Sequence, residues 1–107
     1  MRLSDFIGEA TEYDKKELLE ERKPKSWLKS VSAFANGVGG ALIFGVSDNE
    51  VLVGLEDAKS VSEKISETIK TKMDPVPQII LEIHSEDNKE FIVLKILAGQ
   101  ETPYYYT

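Results

Sequence analysis

Two sets of residues in this chain have the types and spacing to do chemistry, and both suit a polyanion. The first is the glycine group Gly37, Gly39 and Gly40, inside the stretch AFANGVGGALIFGVSDNEVLVGL from Ala33 to Leu55. Glycines at a helix-to-strand junction permit positive φ or a close approach of two backbones. Successive N–H groups in such a bend can form an anion-binding nest. The plainer alternative, that these glycines only close a turn, explains them equally well. The second set is basic. Lys15, Lys16, Lys23, Lys25 and Lys29 could supply phosphate contacts. Residues 15–29 hold six cations against three anions, and the rest of the chain holds seven against sixteen. A net charge of −6 argues mildly against nucleic acid, because phosphate binding is largely electrostatic. The uneven distribution nevertheless can put a basic face on an acidic protein. A solvated, lysine-rich helix entry is the competing reading.

Other chemistries are excluded or disfavoured by what the chain lacks. It has no cysteine, which rules out disulfides, thiolate metal sites and cysteine nucleophiles. Its single histidine, His84, makes a histidine metal site or a serine–histidine triad a poor proposal. His84 alternates with Glu82 and Ile80 along a strand and reads as a structural histidine. An ATP site is not expected: a P-loop runs from strand to helix with an adjacent lysine, whereas Gly37-Val38-Gly39-Gly40 follows a helix and precedes a strand. The same order defeats a dinucleotide fingerprint. No run of about 18 apolar residues is present, so no membrane span is expected. No secretory signal is visible either, which leaves the cytoplasm as the expected location.

The elements that must position these residues can be read from pattern. A chain of 107 residues, 41% hydrophobic and 30% charged, is an ordinary single-domain composition. Residues 3–10 read as a loop or short helical turn. Thr11 to Leu18 is a strand or the continuation of a helix. Pro24 and Ser26 open a helix whose buried face is Trp27, Leu28, Val31, Phe34 and Ala35. Asn36-Gly37 ends it. Ala41 to Val46 is a continuous apolar run suited to a central strand buried on both faces. Val51 to Leu55 follows a four-residue turn as the second arm of a hairpin. A second helix starts near Asp57 or Ser60, Ser60 and Glu63 fitting a capping box. Ala58, Val61, Ile65, Ile69 and Met73 form its apolar stripe. Strands Gln78–His84 and Phe91–Leu97 flank a turn at Asp87-Asn88. The expected fold is therefore α/β (α+β) in the order β-α-β-β-α-β-β, one mixed sheet packed with two helices. Thr102-Pro103-Tyr104-Tyr105-Tyr106-Thr107 reads as the start of a last strand that the chain leaves incomplete, so the 107 residues are expected to be the N-terminal fragment of a longer protein.

Gly8-Glu9, Asp14, Lys16, the block AFANGVGGALIFGVSD, the following VGL and the late PYYY together resemble the Schlafen-type AlbA-like domain. The resemblance spans nearly the whole chain and rests chiefly on the AFAN…GG…GV-D block. It implies a DNA-binding module of a bacterial or archaeal transcriptional regulator. In the family a further strand follows the tyrosines, and many members carry a winged-helix region beyond it. Eukaryotic relatives cleave RNA with three carboxylates, which carried over would be Glu9, Asp14 and Asp48. Hard carboxylate oxygens of that kind bind Mg²⁺ or Mn²⁺, which activates water, and Lys16 could offset the phosphate charge. Two departures stand out: Lys15 replaces the usual aromatic residue, and Asp14 replaces the commoner glutamate. Glu9 and Asp14 also lie five residues apart, on opposite faces of a regular strand, so Glu9 must precede the strand or a bulge must intervene.

Three functions follow as expectations. The leading one is nucleic-acid binding, DNA before RNA, without a cofactor, through the five lysines and the glycine bend. Tyr104 to Tyr106 are candidates for base stacking, though packing on a strand face is the weightier reading. Catalysis by the carboxylates is the runner-up. The third is a dimerisation module that pairs copies through an exposed strand edge.

Overall fold

The two most apolar stretches of the chain become neighbouring strands at the centre of a sheet, and everything else is arranged around them. The computed structural model describes residues 13–19, 22–47, 49 and 51–106. Along the chain the elements are β1 (Tyr13–Lys16), α1 (Lys25–Asn36), β2 (Gly40–Phe44), α2 (Ala58–Lys72), β3 (Met73–Asp74), β4 (Ile79–Glu86), β5 (Lys89–Ile96) and β6 (Tyr105–Tyr106). The main sheet has the order β1-β2-β5-β4. β1 runs parallel to β2, and the remaining pairs are antiparallel. Leu42, Ile43 and Phe44 of β2 and Ile92, Val93 and Leu94 of β5 are all buried, as expected for strands covered on both faces.

Strand alternation sorts these side chains into two cores. Leu42, Phe44, Ile92, Leu94 and Ile96 meet the helices, where α1 contributes Trp27, Leu28, Val31, Phe34 and Ala35 and α2 contributes Ala58, Ile65 and Ile69. Trp27 meets Phe44 edge-on with centroids 5.8 Å apart, a geometry worth about 0.5–1.5 kcal/mol beyond the area it buries. Ile43, Val46, Phe91 and Val93 form a smaller core on the opposite face, with Tyr13, Ala41 and Leu52 against it. The apolar face expected of α1 is thus the one it buries. Asp87 and Asn88, both at positive φ, make the tight turn between β4 and β5, the conformation such residues tolerate best.

The expected class, a mixed sheet with two helices, is the observed one; three details differ. Val51 to Leu55 makes only two single bridges, Val46 to Leu52 and Leu55 to Glu90, rather than a strand. The reason is local: Val53 and Gly54 both donate to the Gly45 carbonyl, and Gly45 and Gly54 both sit at positive φ, so the backbone curls before a ladder can form. The cap of α2 is Asp57, whose carboxylate accepts from the Ser60 N–H at 3.1 Å, so the Ser60–Glu63 box lies one turn too late. The tyrosine strand β6 joins β3 in a separate two-stranded sheet and does not extend the main one. Among the described residues no helix is long and apolar enough to cross a membrane. Glu9, Asp48 and the turn expected at residues 3–10 lie outside the described residues.

Candidate functional site

α1 begins at a proline and is anchored at once by apolar side chains. Pro24 occupies the N-cap position with φ −61°, close to the value its ring imposes. Trp27 and Leu28, buried one turn later, fix which side of the helix faces inward. Lys25 and Lys29 are consequently exposed, as are Arg22 and Lys23 just before the helix. These four cations line an open cleft of about 760 Å³ together with Pro24, Ser26, Lys72 and Tyr106. Among the described residues, no carboxylate lines it.

The far wall of the cleft is brought in by β3 and β6. Met73 pairs with Tyr106, which sets Lys72, the last residue of α2, beside the tyrosine strand. β6 is in turn pinned to α1. The Tyr104 carbonyl accepts from Ser32 Oγ at 2.8 Å and from Asn36 Nδ2 at 3.1 Å. The Tyr104 N–H donates to Asn36 Oδ1 at 2.6 Å, and its hydroxyl accepts from the Glu101 N–H. Tyr104 is buried, Tyr105 is 64% exposed, and Tyr106 packs partly against the core. Strand packing therefore explains Tyr104, whereas Tyr106 keeps a side toward the cleft.

The electrostatics of this end of α1 run against its own dipole. A helix N-terminus carries roughly half a positive charge, yet its first turn has no acidic residue and no side-chain cap. Lys25 and Lys29 are one turn apart, a like-charge spacing that destabilises an isolated helix slightly. An anion placed in the cleft would relieve both.

Of the five lysines expected to act together, Lys23, Lys25 and Lys29 line one cleft. Lys15 and Lys16 lie on β1 and do not line the cleft; Lys15 Nζ sits 5.8 Å from the centroid of the Tyr13 ring. Arg22 and Lys72 complete the cluster and were not singled out from sequence. Lys72 is 43 positions beyond Lys29, and its place at the end of α2 looks like ordinary dipole complementation.

Two of the three glycine N–H groups at the bend are already taken. Gly37 and Gly39 both donate their N–H to the Phe34 carbonyl, at 3.2 and 2.9 Å, so neither offers a proton to an anion. Gly39 adopts φ +86°, and a Cβ there would lie 2.8 Å from the Ile96 carbonyl oxygen. A Cβ on Gly40 would lie 2.5 Å from the Phe34 ring. The glycines serve close packing at the C-terminal end of α1, roughly 16 Å along the axis from Lys25 at the rise of a regular helix.

Of the three carboxylates, Asp14 is described. Its Oδ1 accepts from the Lys15 N–H at 2.8 Å and its Oδ2 from Ser30 Oγ at 3.0 Å, which ties β1 to α1. Among the described residues no group of three histidine or acidic side chains could hold a metal ion. A separate charged row lies on the sheet face away from the helices. Glu82 Oε1 is 3.1 Å from His84 Nε2 and 3.3 Å from Lys95 Nζ. The hydrogen bond from His84, and then Lys95, hold the Glu82 carboxyl below its ordinary pKa despite some desolvation. His84 also lies against Phe91, centroids 5.7 Å apart, in keeping with a structural role.

The family model for Schlafen, AlbA_2 matches residues 9–107. No curated protein matches the chain. Among solved structures, the N-terminal domain of a RecG-related protein from Nitrosomonas europaea is similar over all of this chain and 82% of that one, with a TM-score of 0.72 and 21% identity. The DIP2311 protein from Corynebacterium diphtheriae is similar over 85% of this chain, with a TM-score of 0.55 and 20% identity. This chain spans only 18% of that protein's length. At such identities the likeness is one of fold.

Proposed function

The chain belongs to the Schlafen AlbA_2 family, and from that premise we propose that it is a nucleic-acid-binding module, acting on DNA in preference to RNA as part of a transcriptional regulator. The observation that carries this reading is the cleft itself: Arg22, Lys23, Lys25, Lys29 and Lys72 gathered in one recess of a protein whose net charge is −6. An acidic protein gains nothing in solubility from crowding cations at a helix N-terminus, where they oppose the dipole. Phosphates would make the arrangement favourable. The name of the Nitrosomonas relative, which refers to an ATP-dependent DNA helicase related to RecG, fits a role beside nucleic acid. Among the described residues neither helix carries an arginine, and Asn36 of α1 is engaged with the Tyr104 backbone, so the expected mode is backbone contact with weak sequence preference.

The test is a fluorescence-anisotropy titration of labelled DNA and RNA over a range of salt. Three to five phosphate contacts predict a log–log salt slope of roughly −2 to −4. The double substitution Lys25→Glu with Lys29→Glu should weaken binding more than about tenfold at low salt and make the slope shallower. Failure of the unaltered protein to bind any polynucleotide at low salt would remove the proposal. Tighter binding of RNA would reverse the stated preference.

A further inference from the structure

We infer that the ligand of the basic cleft is an unpaired strand, one base of which stacks on Tyr106 while its phosphates meet the surrounding cations. This rests on the nucleic-acid reading above and narrows it to a substrate class. Tyr106 is the aromatic member of a lining otherwise made of Arg22, four lysines, Pro24 and Ser26. The same residue packs partly against the main core, so its ring is supported from behind while it contributes to the cleft. Phosphates require the charges alone. A supported aromatic ring among them adds affinity only for a group with an accessible π-face.

In a duplex the faces of each base are covered by its neighbours, and exposing one costs a few kcal/mol. In a flexible strand that face is available, and stacking on an aromatic side chain is worth about 1–3 kcal/mol per base. Shape agrees with this. Proteins that read duplexes send a helix or a β-ribbon outward into a groove, whereas these cations line a recess. Its volume is about 760 Å³, within the range of ligand-binding clefts. The platform is also held in place before binding. Ser32 and Asn36 of α1 make three hydrogen bonds to the Tyr104 backbone, and Met73 pairs with Tyr106 itself. A backbone fixed in advance limits the entropy lost when a base lands on the ring.

The experiment compares a labelled homothymidine strand, a duplex of matched length, and the same strand carrying abasic positions. The unaltered chain should bind the strand at least about tenfold more tightly than the duplex, and the abasic strand roughly tenfold less tightly than the intact one. Tyr106→Phe should keep the preference. Tyr106→Ala should lose roughly tenfold on the intact strand and little further on the abasic one. Tyr105→Ala, at the exposed neighbouring position, should bind as the unaltered protein does. The abasic comparison uses the native chain, so it decides the matter even if Tyr106→Ala folds poorly. Equal affinity for intact and abasic strands, or a duplex bound as tightly as the strand, overturns the inference while leaving the basic cleft as a phosphate site. Absence of binding to all three overturns the underlying reading as well.

Discussion

The two helices of this domain solve the same problem in opposite ways. α2 has a side-chain cap and cations at its favourable end: Asp57 caps its N-terminus through the Ser60 N–H, and Lys70 and Lys72 sit in its last turn, where a helix favours cations. α1 differs on both counts. It has no side-chain cap and no basic residue in its last turn, and exposed cations crowd its positive end; an acidic first turn is missing from both helices. Both are nonetheless well packed, with Trp27, Leu28, Val31, Phe34 and Ala35 buried on one and Ala58, Ile65 and Ile69 on the other. The helices thus differ at their ends: α2 is capped and carries cations where its dipole favours them, and α1 has neither feature. Its stability has to come from packing and from fixed ends, which makes the two helices sensitive to different changes.

The largest expected effect is at the C-terminal end of α1. Gly39→Ala would place a side chain at φ +86° and a Cβ 2.8 Å from the Ile96 carbonyl oxygen, a backbone atom that cannot swing aside. Backbone strain and overpacking together should cost about 3 kcal/mol. Urea unfolding would show this as a lower midpoint at unchanged slope. A loss below about 1 kcal/mol would mean that the junction between α1 and β2 yields, and that tight packing is not what secures this helix.

A smaller effect is expected at the other helix. Asp57→Ala removes the acceptor for the Ser60 N–H, which should cost about 1 kcal/mol. For a chain of this length that is a fall of several degrees in melting temperature. An unchanged melting temperature would show that α2 does not depend on its cap, and the contrast between the helices would lose one of its two sides.

What could be read in the sequence follows the same division. Interior features were legible because they are local and periodic. The apolar face of α1 repeats at helical spacing, the run Ala41–Val46 announces a doubly buried strand, and Asp87-Asn88 announces a turn. The resemblance carried by AFANGVGGALIFGVSD led to the family that the comparison then matched over residues 9–107. Function was less legible, for two physical reasons. Glycine spacing cannot reveal whether backbone N–H groups are free, and here Phe34 takes those of Gly37 and Gly39. A charge cluster, moreover, is assembled by tertiary structure. Lys72 reaches the cleft only because β3 pairs with β6, a contact between residues more than thirty positions apart. Lys15 and Lys16 are near neighbours of Lys23 in sequence, yet β1 carries them elsewhere.

The effect expected at Lys25 is the most discriminating, because it has the opposite sign from the usual outcome of changing a surface residue. Lys25 is the first residue of α1 and exposed, so replacing it removes no packing. Lys25→Glu puts an anion in the first turn, worth about 0.3–1 kcal/mol. It also converts a like-charge pair with Lys29 into a Glu-to-Lys pair at i, i+4, worth about 0.2–0.5 kcal/mol. Together these should stabilise the unliganded domain by about 0.5–1.5 kcal/mol, most clearly at low ionic strength, where screening is weakest. The same substitution is expected to weaken binding to a polyanion. Thermal melts at low and high salt, run beside the anisotropy titration, would test both signs on one variant. A rise in stability with a fall in affinity is the behaviour of a residue kept for its ligand against the interest of the fold. A fall in both would mean that the lysine supports α1 after all, and that α1 and α2 do not differ in the way their charges suggest.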